Sequence, residues 1–115
     1  MSIETNWSDY DEGFSIGTVG ASGGAIVRDE EHESGARITL EEESSFAPFA
    51  VTCGIYGWMF HTRYFADESE ADVEYEQMKN DLSEILETIA AEENLDEAAE
   101  SEIVEAIEQF VEKYP

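Results

Sequence analysis

Apolar and polar residues alternate from Ala36 to Glu41, a period of two that is typical of a half-buried β-strand, so residues 36–43 are predicted to be a strand. Residues 25–31, which change from apolar to charged at Arg28, are predicted to be its partner strand. The four residues between them, His32-Glu33-Ser34-Gly35, end on a glycine, which can adopt the positive φ that a tight loop often needs. The pattern therefore predicts a β-hairpin.

The side chains of this hairpin also predict how its strands pair. In the register that we expect, Val27 lies opposite Leu40 and Glu30 lies opposite Arg37. The apolar pair then shares one face of the hairpin and the ion pair shares the other. A slip of one residue would lose this agreement, because side chains alternate between the two faces.

The chain before the hairpin is predicted to contribute one more strand. Residues 14–18 alternate between larger and smaller side chains and indicate a short first strand, which a glycine-rich turn at 20–24 would end. Residues 1–12 are mostly polar and are interpreted as an N-terminal arm. Trp7 and Tyr10 are the side chains that would dock this arm on the rest of the molecule.

Residues 49–55 and 58–64 continue the extended pattern on either side of Gly57. We expect two adjacent strands that turn near Tyr56-Gly57. The alternative is one long strand bent at its glycines, because an isolated glycine in a strand also marks a bulge.

The period changes to that of a helix after Asp67. Apolar residues recur at three- and four-residue spacing with carboxylates between them, which predicts an amphipathic helix. Asp67 or Ser69 can cap its N-terminus. The apolar positions of this helix are Tyr75, Met78, Leu82, Ile85, Leu86 and Ile89.

A break is predicted at Asn94-Leu95-Asp96, where Asn94 can end one helix and Asp96 can cap the next. Because residues 83–89 resemble residues 101–107 at a spacing of 18, or five helical turns, one uninterrupted helix is the alternative. The apolar positions of the second helix are Ile103, Val104, Ile107, Phe110 and Val111.

Strands followed by helices define an α+β fold. We predict an antiparallel β-meander of four to five strands, followed by two C-terminal α-helices packed on one face. A chain of 115 residues has the size of one domain, 1–115. Its parts would be the arm (1–12), the meander (13–66) and an acidic helical pair (67–115).

Charge is distributed unevenly along the chain. The formal net charge is −24, yet no carboxylate occurs between Ser44 and Ala66, a stretch that holds seven of the thirteen aromatic residues. The acidity argues against nucleic acid or a membrane as a partner and favours a basic protein. A salt-tolerant source, in which acidic surfaces keep proteins hydrated, would explain the same charge.

The only cysteine, Cys53, excludes an intrachain disulfide, and the first residues do not resemble a secretory signal, so we expect a cytoplasmic protein. Cys53 and His61 could form a thiolate–imidazole pair across a hairpin at Tyr56-Gly57. A buried core cysteine explains the same residue more simply.

Neither a metal site nor a cofactor is predicted. The carboxylates at 29–33 and 41–43 concentrate oxygen ligands near one turn, but their spacing matches no calcium loop. Charged hairpin ends also protect strands from unwanted pairing. The glycines at 17–24 lack the basic residue and the following helix of a phosphate-binding loop.

The carboxylate-free stretch supplies the candidate binding residues. A sheet covered by helices on one face leaves some of its aromatic side chains on the other face, where the arm, a second copy or a partner would cover them. The candidates are Tyr56, Trp58, Phe60, His61, Arg63 and Tyr64.

Three functions are compatible with these features. The first is a non-enzymatic interaction module that presents helical carboxylates to a basic protein. The second, compatible with it, is self-association as a homodimer. The third is a small-molecule-binding domain or an enzyme with a pocket near Cys53, His61 and Arg63, and catalysis ranks last. The helical carboxylates in question are Glu84, Glu87, Glu102, Glu105 and Glu108.

Overall fold

Five antiparallel strands follow one another in chain order across one sheet, so that β1 and β5 form its two edges. The computed structural model describes residues 6–92 and 95–115. The predicted α+β fold is confirmed, with five strands followed by two helices. The elements are β1 (Trp7–Asp9), β2 (Ala25–His32), β3 (Ala36–Glu42), β4 (Phe49–Ile55), β5 (Met59–Phe65), α1 (Glu68–Ala91) and α2 (Glu97–Lys113).

The first strand is not the one that the sequence predicts. Residues 14–18 form turns, because Gly13 and Gly17 adopt positive φ values of 87° and 90° and the backbone bonds back on itself there. Phe14 and Ile16 are exposed. The edge strand β1 comes instead from the predicted arm, where Trp7 pairs with His32 of β2.

The β2–β3 hairpin forms, but from Arg28 to His32 its register differs by one residue from the prediction, and only Ala25 and Ile26 pair in the predicted register. His32 pairs with Ala36 and Glu31 with Arg37, so the loop has three residues and Gly35 supplies its positive φ of 111°. The register shifts again at Val27, which bulges out between two paired residues. Opposite Leu40 lies Arg28 rather than Val27.

The β4–β5 hairpin confirms two strands rather than one bent strand. Ile55 pairs with Met59, and Gly57 takes a positive φ of 84° in the connecting turn. Trp58 belongs to this turn and not to the strand that the sequence predicts there. Its side chain is partly buried against the core.

Two separate helices cover one face of the sheet. Asp67 caps α1 by accepting a hydrogen bond from the Glu70 N–H (3.2 Å), and Asp96 caps α2 by accepting one from the Ala99 N–H (2.9 Å). The predicted role of Asn94 lies outside the described residues. Both helices begin where a carboxylate can satisfy free backbone donors.

The predicted apolar stripe of α1 is buried from Tyr75 to Leu86, and each buried aliphatic side chain contributes roughly 1.5–3 kcal/mol. The stripe of α2 is narrower than predicted. Val104 and Val111 are exposed, since they lie about a quarter-turn from the buried residues around the helix axis. The buried positions of α2 are Ala99, Ile103, Ile107 and Phe110.

The sheet therefore has a helix face, covered by α1 and α2, and an open face. Ile38, Val51 and Cys53 are fully or almost fully buried on the helix face. The residues that alternate with these along the strands, such as Arg37 and Thr39, point to the open face. Among residues 6–92 and 95–115, neither helix has the length and apolarity needed to cross a bilayer.

Candidate functional site

The structure divides the predicted binding residues between the two faces of the sheet. Phe60 and Tyr64 alternate with His61 and Arg63 along β5, so the first pair points to the open face and the second pair to the helix face. Tyr56 lies in the turn beside Phe60, and the two rings line one groove. The six predicted residues thus form no single site.

The helix-face residues are committed to the fold. The ring of His61 hydrogen-bonds the backbone carbonyl of Tyr114, just after α2. Arg63 forms an ion pair with Glu74 of α1 at 3.2 Å. Together these contacts tie β5 to both helices.

Cys53 and His61 are direct cross-strand partners, as the predicted hairpin required. Cys53 is nevertheless buried, and desolvation raises the pKa of its thiol to about 12. A nucleophilic cysteine needs the opposite shift, towards a stable thiolate. The surroundings of Cys53 are those of a core residue.

Part of the open face is covered by the chain before β2. The Tyr10 ring lies over the Arg37 guanidinium, with 3.5 Å from the Arg37 Cζ to the ring centroid. Trp7 does not join it there, since its indole N–H donates to the Ser83 hydroxyl on the helix face at 2.9 Å. The described contacts of Trp7 and Tyr10 thus lie away from β5, and Phe60 and Tyr64 on the open face of that strand stay exposed.

Three aromatic rings remain at the surface there, and we call Phe46, Phe60 and Tyr64 the aromatic patch. Their exposed fractions are 77%, 75% and 44%. Phe46 and Tyr64 meet edge to face, with ring centroids 5.8 Å apart. Exposed aromatic clusters commonly mark a contact surface for another molecule.

A groove of about 310 Å³ runs beside the aromatic patch. The residues that line it include Arg37, Thr52, Gly54 and Phe60. The Arg37 guanidinium is already held by two hydrogen bonds to the Asp29 carboxylate, at 2.9 and 2.6 Å. Cys53 is among the residues that line this groove, whereas His61 and the predicted ligand-binding cation, Arg63, are not and point to the other face.

The carboxylates near the β2–β3 turn are held individually. Asp29 is bound by Arg37 and Thr39, and Glu30 by Tyr75 and Lys79. Arg37 therefore pairs with Asp29 rather than with the predicted Glu30. No group of three or more potential metal ligands occurs within the described ranges.

One buried carboxylate was not anticipated as a structural residue. Glu41 is fully buried and accepts hydrogen bonds from the backbone N–H groups of Ser22 and Gly24. It holds the glycine-rich turn against the open face. A Cβ at Gly24 would lie 2.4 Å from the Glu42 carbonyl oxygen, so this close approach requires glycine.

The Lys and Arg side chains are all paired with carboxylates within the molecule. Each of the five Lys and Arg side chains lies within 4.0 Å of a carboxylate, and none of the acidic partners belongs to α2. The principal pairs are Arg28–Glu76, Arg37–Asp29, Arg63–Glu74, Lys79–Glu30 and Lys113–Asp81.

The outer face of α2 is consequently acidic along its length. Six exposed carboxylates line it, and within the described part of the chain none of them forms an ion pair. We call these residues the acidic face of α2: Glu97, Glu100, Glu102, Glu105, Glu108 and Glu112.

Comparison of the chain with protein-family models, curated proteins and solved structures gives no match.

Proposed function

We propose that this protein is a non-enzymatic, cytoplasmic interaction module that binds a basic protein along the acidic face of α2. The observation that carries the proposal is the separation of charge. Every Lys and Arg is paired with a carboxylate outside the acidic face, which itself has only negative side chains. A basic surface is the complementary partner for such a face.

The spacing of the glutamates strengthens this argument. Glu105, Glu108 and Glu112 are three and four residues apart, so they are neighbours on one side of the helix. Like charges at this spacing destabilise a helix by about 0.2–0.5 kcal/mol per pair. A partner's cations would relieve that repulsion on binding, and the field of the free protein would accelerate the encounter.

The probe for this proposal is an oligolysine peptide, and binding is measured by isothermal titration calorimetry at low and high salt. The test variant is E105Q/E108Q/E112Q. The control variant, E12Q/E33Q/E43Q, removes three exposed carboxylates outside α1 and α2. Both variants change the net charge equally, so a difference between them reports where the peptide binds.

We expect the α2 variant to lose affinity several-fold more than the control, and we expect high salt to abolish the difference. Equal losses in the two variants would mean that only the total charge matters, as an acidic surface adapted to salt would predict. That result would remove the proposed binding face. Recovery of a basic protein from a cell extract at low salt, by the wild type but not by the α2 variant, would identify the partner.

A further inference from the structure

The outer edge of β5 has little of the usual protection of an edge strand, since its one Lys or Arg side chain, Arg63, is paired with Glu74. Native sheets guard their edges with short strands, prolines, charged side chains or bulges, because an open edge pairs readily with another strand. The opposite edge, β1, has only three residues, whereas β5 has seven and contains no proline, carboxylate or bulge. Within residues 6–92 and 95–115, β5 pairs with β4 alone.

The sequence of β5 is nearly symmetric about Thr62. Reading outward in both directions, Thr62 is followed by a basic residue (His61, Arg63), an aromatic residue (Phe60, Tyr64) and an apolar residue (Met59, Phe65). If two β5 strands pair antiparallel with Thr62 opposite Thr62, all seven residues find partners. Phe60 then faces Tyr64 of the second copy on the open face, and Met59 faces Phe65 on the helix face.

The distribution of charge also determines where two copies can approach each other. Two molecules with a net charge of −24 repel each other, and β5 lies in the one long stretch without carboxylates. In this pairing Arg63 would lie opposite His61 of the second copy. Because Glu74 already neutralises Arg63, the dimer would not place an unpaired positive charge at the interface. The edge is thus where two copies approach with the least repulsion.

We propose that the protein forms a two-fold symmetric homodimer by antiparallel pairing of β5 with β5, centred on Thr62, which joins the two sheets into one of ten strands. The surface is separate from the acidic face of α2. The two proposals therefore stand or fall independently.

The aromatic patch sets the expected strength of this dimer. With about 200 Å² of surface for each ring, the exposed fractions of Phe46, Phe60 and Tyr64 leave roughly 400 Å² per subunit to bury. A stable interface usually buries about 800 Å² per partner, so the backbone ladder must supply the remainder and the dimer should be weak. Because salt screens the repulsion between subunits, dimerisation should strengthen as salt rises. Binding of a basic partner to the acidic face of α2 should instead weaken as the salt concentration rises.

Sedimentation equilibrium of the full chain at several protein concentrations, in low and high salt, tests the proposal. T62K would place two lysines opposite each other at the centre of the interface and should raise the dissociation constant by about tenfold or more. T18K is the control, because Thr18 is exposed in the turns before β2 and the charge change is the same. A strictly monomeric wild type in high salt, or equal effects of the two variants, would overturn the proposal.

Cysteine crosslinking tests the register without depending on the stability of T62K. Opposed residues of an antiparallel pair have Cα atoms about 4.5–5.5 Å apart, within the range of a disulfide. T62C should therefore form a covalent dimer under mild oxidation. In Y64C the two cysteines would be offset by four residues, about 14 Å, and should not crosslink.

The wild type is the background control, since its Cys53 is buried. Crosslinking of Y64C as fast as T62C would contradict the proposed register and indicate random collision or another interface. No crosslinking of T62C at concentrations where the wild type is dimeric would place the interface elsewhere.

Discussion

At the scale of single residues, the structure assigns His32 a role that depends on its being neutral. Its Nδ1 accepts a hydrogen bond from the Ser34 N–H at 3.0 Å, inside the β2–β3 turn. Trp7 packs against the ring edge to face, with centroids 5.0 Å apart. Burial lowers the pKa of His32 below its ordinary value of 6.5, although Glu33 and Glu87 act in the opposite direction.

This lowered pKa predicts a loss of stability in mild acid. As the pH falls through the ordinary histidine pKa of 6.5, the unfolded chain binds a proton at this histidine more readily than the native chain does. The free energy of unfolding should therefore fall as the pH decreases through 6.5, the ordinary histidine value. Urea denaturation at a series of pH values measures this slope.

H32Q provides the comparison for the same measurement. It removes the titrating ring while leaving His61 and all carboxylates in place, so their contributions cancel between the two chains. We expect the slope in this pH range to be smaller in H32Q than in the wild type. Identical slopes would show that His32 gains no proton on unfolding.

The sequence predicted some single residues well and others poorly. Cys53 fits its simpler interpretation as a core residue, because an apolar alternation around it is visible in the sequence. Glu41 does not stand out, since it is one of three consecutive glutamates and only the structure shows which one faces the glycine-rich turn. Periodicity reveals the face of a strand but not what covers it.

At the scale of elements, the error in the β2–β3 register has a specific cause. A loop of three residues and a loop of four both fit the turn sequence, and they differ by one residue in pairing. The bulge at Val27 then shifts the register back by one residue, so that Ile26 pairs with Glu41 in the predicted register. No alternation pattern in a single strand predicts where such a bulge falls.

The turn at residues 20–24 is the element that depends most directly on one side chain. Replacing Glu41 with alanine would leave the buried N–H groups of Ser22 and Gly24 without their acceptor. We expect E41A to lower the free energy of unfolding by about 2–3 kcal/mol. Hydrogen exchange at the Ser22 and Gly24 amides should accelerate more than exchange in α1.

Two variants separate this role from a general loss of charge. E41Q keeps the shape and one acceptor oxygen and should cost less than E41A. E42A removes the adjacent carboxylate, which points to the other face of β3, and should change stability by less than about 0.5 kcal/mol. Equal effects of E41A and E42A would contradict the role of Glu41 in holding the turn.

At the scale of the whole molecule, the sequence predicted that the carboxylates and the aromatic stretch are separated along the chain. It predicted only in part where the structure places the aromatic side chains. The carboxylate-free stretch is hidden on the helix face through Val51, Cys53 and Phe65, while Phe60 stays exposed on the open face. The division follows from the single covered face of the sheet. A meander places its first and last strands at the edges, so the edge position of β5 follows from the predicted fold, whereas the other edge, β1, comes from a segment that was predicted to be an arm.

The unpaired carboxylates of α2 imply a conflict between stability and the proposed function. If the acidic face exists to bind cations of a partner, then removing its charges should stabilise the free protein while weakening binding. We expect the thermal unfolding temperature of E105Q/E108Q/E112Q to exceed that of the wild type by a few degrees in low salt. The difference should shrink in high salt, where the repulsion is already screened. Differential scanning calorimetry measures both.

The matched variant E12Q/E33Q/E43Q decides how this stabilisation is interpreted. These carboxylates lie far apart in the sequence and are not helical neighbours, so their removal relieves only the general field of the molecule. If the repulsion is concentrated on α2, the control should gain less than the α2 variant. If the two gain equally, the acidity is a property of the whole surface, and α2 has no special role in binding. Destabilisation of the α2 variant would mean that these glutamates support the native fold. We do not expect this result, because none of them forms an ion pair with another described residue.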